Sequence, residues 1–320
     1  MARTSARKES SRPVVYAALA GNVLVAATKT VAAVWTGSSA MVSEAVHSFV
    51  DTGNELLLLY GMHRAARRPD PEHPVGYGRE LYFWSFIVAL MVFALGAGVS
   101  LYEGVLHIRH PEPITDPRAS YIVLGLAGLF EVGSWVVSAR QFNASRGSQG
   151  YYEAFRRSKD PPSFLVFFED GAAVVGIAIA AAGTFAAVEL GQPVYDGVAS
   201  ILIGLLLAGV AALLAQESKS LLIGERADRR LSDSVLGIAD GVHGVAHANG
   251  VLTFQLAPDQ ILIALSLEFR DDLRAPEIEA AVVELERRVR EAHPEVTTVF
   301  VKPQAAGTYR EVVRARYGEG

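Results

Sequence analysis

From residue 13 to 216 the chain alternates long apolar runs with short polar loops, and beyond 217 the pattern shortens. The runs are Val14–Trp35, Ala40–Met62, Leu81–His107, Ala119–Ala139, Phe164–Leu190 and Val194–Ala215. A membrane helix needs about 20 apolar residues, so the pattern predicts six of them, forming one bundle over 14–216 after a tail of residues 1–13. Gly96, Gly98, Gly171, Gly176, Gly197 and Gly204 lie inside these runs. Small residues let membrane helices approach closely, which favours a compact bundle. Further on, Leu231–Ala239 reads as a short helix, Val251–Leu256 and Ile261–Phe269 as strands, Ala275–His293 as an amphipathic helix and Thr297–Val301 as a last strand. In the second strand Ile263, Leu265 and Leu267 alternate with Ala264, Ser266 and Glu268, the period of a strand with one buried face. Residues 217–305 are therefore expected to form a small α+β domain with helices on one side of a sheet, and 306–320 a flexible tail.

Composition strengthens the membrane reading. Hydrophobic residues make up 51% of the chain and charged ones 20%, against about 25% charged in an ordinary soluble protein. Lys and Arg fall unevenly. Arg3, Arg7, Lys8 and Arg12 precede the first run, and Arg64, Arg67, Arg68 and Arg79 follow the second. Arg140, Arg146, Arg156, Arg157 and Lys159 follow the fourth, and Lys219, Arg226, Arg229 and Arg230 the sixth. The opposite loops hold only Arg109 and Arg118. The positive-inside rule then places both termini of a multi-pass protein in the cytoplasm, with a bacterial cell membrane the expected location. A net charge of −5 gives no reason to expect nucleic acid as a partner. There is no cysteine, so a metal site must use His, Asp, Glu or backbone oxygen.

The chemistry concentrates in the second run. His47 and Asp51 are four residues apart within an apolar stretch, with Glu44 one turn earlier. On a helix these share a face. Ionisable groups at membrane depth are expensive and mark function, and a His with a carboxylate at this spacing is half of a divalent-metal site. The fifth run holds Glu169 and Asp170 with no Lys or Arg beside them. Asp170, and Glu169 as a fourth donor, would complete a tetrahedral set with His47 and Asp51. Consecutive helical residues point about 100° apart, so one of the two could instead support the other or carry a proton. Glu44, Glu131, Lys29 and Asn22 are candidates for supporting contacts or a proton path. Against this, Glu44 could be solvated at the membrane face, Lys29 could snorkel or pair with Glu131, and Asn22 could bond between helices. Asp70 and His73, in the loop after the second run, form a candidate peripheral cation site that turn chemistry alone could also explain. Asp196 is expected at the membrane surface and His107 in water. No P-loop, nucleophile elbow or dinucleotide fingerprint is present, and an enzyme is not expected.

Gly37-Ser-Ser-Ala-Met-Val-Ser-Glu-Ala-Val-His-Ser-Phe-Val-Asp51 and His73-Pro-Val-Gly-Tyr-Gly-Arg79 resemble segments of the cation diffusion facilitator family. The resemblance runs from about Ser11 to Pro303. It implies a homodimer that exports divalent metal in exchange for protons, with a cytoplasmic C-terminal domain of metallochaperone or ferredoxin-like fold. Glu169-Asp170 followed by Gly-Ala-Ala-Val-Val-Gly176 resembles a divergent zinc-transporting branch, with Val166 where other members carry a further ligand. Tyr77 replaces a His of some members, and Val301-Lys-Pro-Gln304 lacks the residues of their binuclear cytoplasmic site. The function expected is Zn²⁺/H⁺ antiport by alternating access, with no cofactor apart from the transported metal. The alternatives are export of Mn²⁺, Fe²⁺ or Co²⁺, or a non-transporting dimeric sensor or scaffold anchored in the membrane.

Overall fold

A computed structural model describes residues 12–146 and 150–318; the expected N-terminal tail lies largely outside them. The chain divides into two compact units. One comprises the chain to His63 together with Glu80–Lys219, and the other Arg64–Arg79 with everything from Ser220.

The first unit is helical. Its elements are α1 (Arg12–Thr36), α2 (Ser39–Ala65), α3 (Glu80–Arg109), α4 (Pro117–Arg146), the short α5 (Tyr151–Arg157), α6 (Pro161–Glu189) and α7 (Val194–Ile223). Four of these, α3, α4, α6 and α7, are long and apolar enough to cross a membrane. Among the described residues α1 and α2 are not in this set, so the expected count of six is not matched; α2 carries Glu44, Asp51, Asn54 and Glu55 within its apolar run. The core is made of small and branched residues: Ala45 and Val50 of α2, Leu124 of α4, Ala180 of α6, Ile203 and Leu207 of α7. Large apolar side chains such as Phe49, Leu129, Phe185 and Leu205 point outward. A soluble protein rarely exposes so much apolar surface, and a lipid-facing belt accounts for it.

Glycine permits a close crossing of α3 and α7. A Cβ on Gly104 of α3 would lie 2.7 Å from the carbonyl oxygen of Gly197, and one on Gly197 of α7 would lie 3.0 Å from that of Gly104. The two backbones touch there, as small residues permit in membrane bundles. The run expected as one regular helix contains a π-helical turn, Val92–Ala97, inside α3. Such a turn inserts a residue and re-aims the helix faces on either side.

The second unit runs α8 (Arg229–Asp240), β1 (Val245–Ala257), β2 (Gln260–Phe269), α9 (Ala275–Ala292), β3 (Val296–Pro303) and α10 (Ala306–Tyr317). The sheet order is β1-β2-β3, with β1 antiparallel and β3 parallel to β2. Ile263, Leu265 and Leu267 bury one face against Leu231 and Val235 of α8 and Leu285 and Val289 of α9. Two expectations fail here. Residues 306–317 are helical where a flexible tail is expected, and helices do not keep to one side of the sheet. Tyr309, Val312 and Val313 of α10 line a cavity of about 310 Å³ with Ala264 and Ser266, which face away from the core. The loop 64–79 belongs to this unit. It seats on the β1–β2 turn, where a Cβ on Gly78 would fall 2.8 Å from that of Ala257 and 2.9 Å from the carbonyl oxygen of Leu256. That fit explains why the Gly-x-Gly of the loop ends in glycine.

Candidate functional site

Helix α2 carries His47, Asp51 and Asn54 along one face, as helical spacing requires. His47 is buried, with Nε2 3.5 Å from Asp51 Oδ2. Neither ring nitrogen of His47 has a hydrogen-bond partner, nor does Asp51 Oδ1. Buried polar atoms are nearly always satisfied, so this constellation holds unspent coordinating capacity.

Helix α6 turns its two carboxylates to different partners, as the 100° step between neighbours dictates. Glu169 Oε1 accepts from Asn54 Nδ2 of α2 at 2.9 Å. Asp170 Oδ2 accepts from Ser134 Oγ at 2.9 Å and Ser138 Oγ at 3.0 Å, both on α4. Asp51, Glu55, Glu131, Glu169 and Asp170 line one cavity of about 30 Å³, with Val166 among its walls. That is room for one or two waters or an ion. His47 stands beside Asp51 rather than on the cavity wall. Among the described residues no three His, Asp or Glu side chains form a group able to hold a metal ion. The structure thus gathers Asp51, Glu169 and Asp170 around one cavity, and does not close them with His47 into a coordination sphere.

The supporting candidates also meet. Lys29 of α1 donates to Glu44 Oε2 at 3.1 Å and Ser48 Oγ at 2.8 Å, and lies 3.8 Å from Glu131 Oε1. Lys29 and Glu44 are fully buried. Neither the snorkelling lysine nor the solvated Glu44 is found, because each neutralises the other inside the bundle. Asn22 Nδ2 donates to Glu55 Oε1 at 2.8 Å, the interhelical bond expected of it.

Residues 15–223 match the cation efflux transmembrane domain. The chain belongs to the cation diffusion facilitator family. It is similar to the mitochondrial proton-coupled zinc antiporter SLC30A9 of Xenopus laevis, 37% identical over 66% of this chain and 38% of that protein. Metal tolerance protein C4 of Arabidopsis thaliana is 38% identical over 63% of this chain and 45% of its own length. Cation-efflux pump FieF of Shigella flexneri is 25% identical over 78% of this chain and 77% of its own. The match thus spans less than half of the first two relatives.

In this cation diffusion facilitator the loop pair is close but committed elsewhere. His73 Nδ1 lies 3.3 Å from Asp70 Oδ1. Asp70 Oδ1 also accepts from the backbone of Glu72 and His73, and Oδ2 from Tyr77 Oη at 2.5 Å. The bond from Tyr77 first, then the backbone bond from His73, hold the Asp70 carboxyl below its ordinary pKa. The same bond pushes the Tyr77 phenol up. Turn chemistry accounts for these contacts.

Four residues the sequence reading passed over carry contacts at the site: Asn54, Glu55, Ser134 and Ser138. Asn54 was detectable, being seven residues after His47 on the same face. The serines were not, since nothing in α4 marks which helix it faces. Asp196 is buried rather than at the surface, and caps α2. It accepts from Ser38 Oγ at 2.7 Å, the Ser39 amide at 2.5 Å and the Ala40 amide at 3.2 Å. His107, expected in water, is buried with Nε2 4.0 Å from Asp196 Oδ2.

Proposed function

We propose that the protein is a divalent-metal exporter, moving Zn²⁺ out of the cytoplasm in exchange for protons. The observation that carries this reading is the cavity lined by Asp51, Glu169 and Asp170 beside an unpartnered His47. On this reading the metal enters from the cytoplasm and draws His47, Asp51, Asp170 and Glu169 together. Binding requires neutral imidazole and ionised carboxylates, so it releases protons. On the far side protons return to the same groups and displace the metal. Rocking of the helices about the site gives alternating access. In this reading α1 and α2 also span, giving six membrane helices, both termini are cytoplasmic, and the chain works as a homodimer without a cofactor and without enzymatic activity. Similarity to a proton-coupled zinc antiporter supports zinc and protons.

The carboxylates on the cavity wall favour one second reading. Oxygen-rich sites suit harder cations, so Mn²⁺, Fe²⁺ or Co²⁺ would be carried by the same mechanism. A non-transporting anchor would gain nothing from five carboxylates around a buried cavity. Zinc uptake into inverted membrane vesicles tests the proposal. Uptake should be lost in Asp51→Ala and Asp170→Ala at normal protein levels, and full uptake in Asp51→Ala would refute the site.

A further inference from the structure

The contacts of Lys29 resemble those of a bound cation. Its ammonium lies between Glu44 Oε2 of α2 and Glu131 Oε1 of α4, with Ser48 Oγ as a third oxygen. Lys29 itself comes from α1, so the one charge ties three helices. The other oxygen of Glu44, Oε1, is buried without a hydrogen-bond partner. It is pressed toward α6, where a Cβ on Gly176 would come within 2.5 Å of it. Two carboxylates and a hydroxyl are the donors a hard divalent cation takes. This group adjoins the proposed transport cavity, on whose wall Ser48 and Glu131 also lie, and Glu44 precedes His47 by three residues on the same helix.

We infer that Lys29 is a built-in occupant of a second cation position, held between Glu44, Ser48 and Glu131, which limits the bundle to one divalent ion. A second divalent ion there would place two double charges within a turn of helix and would pin α1, α2 and α4 together. The tethered ammonium satisfies the same oxygens with a single charge that cannot leave. Lys29 acts through Glu44 and Glu131, and is a specificity-determining residue that does not touch the transported ion. The inference rests on the proposed reading that the bundle binds a divalent ion.

Equilibrium dialysis of the purified full-length protein against radioactive zinc counts ions per chain. Lys29→Ala should bind one more ion than the unaltered protein. Lys29→Arg, which keeps the charge, should show the unaltered count, and Lys29→Ala combined with Glu44→Gln should return to it. A simple structural role for Lys29 would not raise the count. The expected companion effect is a zinc-dependent rise in the melting temperature of Lys29→Ala beyond that of the unaltered protein. Lys29→Ser is the second variant should the alanine be unstable. The same ion count in a folded Lys29→Ala overturns the inference. So does failure of both variants to fold with zinc present, because the inference requires metal to replace the ammonium. An unaltered chain that binds no ion would instead sink the transport reading itself.

Discussion

Removing the Asp196 carboxylate should loosen the helix that carries His47 and Asp51 of the candidate site. Asp196 sits on α7 and accepts three hydrogen bonds at the start of α2, two from backbone amides and one from Ser38 Oγ. It is fully buried. The first amides of a helix have no partner within it, and the helix dipole favours a negative charge there. Each hydrogen bond to a charged acceptor contributes about 1.5–3 kcal/mol, and an orphaned buried donor costs about 1–3 kcal/mol. The three bonds share one acceptor and do not add fully, so Asp196→Ala should cost about 3–5 kcal/mol. Asp196→Asn keeps one acceptor oxygen and loses the charge, and should cost about 1–2 kcal/mol. Denaturant titration in detergent micelles reads both values. Ordering of the variants as Ala, then Asn, then the unaltered protein is the expected result. Asp196→Ala within about 0.5 kcal/mol of the unaltered protein would show that water or a neighbour caps α2 equally well, and the reasoning would fail.

Three further outcomes follow from the same contacts. Asn54→Ala removes the donor to Glu169 and should weaken zinc affinity about 10–100-fold, as loss of a ligand-orienting partner does; unchanged affinity would remove Asn54 from the site. Gly78→Ala forces a Cβ against Ala257 and Leu256, and should destabilise the second unit by about 1–3 kcal/mol, with faster protease cleavage between 64 and 79; an unchanged cleavage rate would contradict the tight seat. Tyr77→Phe should raise the pKa of Asp70, read by carbon NMR titration. Asp70 is depressed in the folded loop, so its contribution is present above its unfolded pKa and is lost as pH falls through the folded one. In the phenylalanine variant that loss should be smaller and complete at a higher pH, and no movement of the titration would mean that Tyr77 does not hold the carboxylate.

What the sequence makes legible is local. The face shared by His47, Asp51 and Glu44 follows from helical spacing, and the strand Ile261–Phe269 from its alternation. Membrane helices are apolar nearly all round, so periodicity does not say which neighbour each face meets. The bonds of Asp170 to Ser134 and Ser138, and of Asp196 to the start of α2, join residues 32 to 158 positions apart and leave no trace in spacing. Lys29 shows the same limit. The sequence leaves it to snorkel or to pair with Glu131, and nothing in spacing shows that Glu44 converges on it as well. The helix at 306–317 is hidden in the sequence for a different reason. It buries no residue fully and gains its place only by lying on the sheet.

Proton movement driven by zinc is the most direct test of the whole account. The purified protein would be reconstituted in liposomes holding a pH-sensitive dye, and zinc, manganese, cobalt and iron added in turn. The account predicts a proton flux with zinc that disappears in Asp51→Ala. Absence of flux with every metal, from folded and correctly inserted protein, would contradict it.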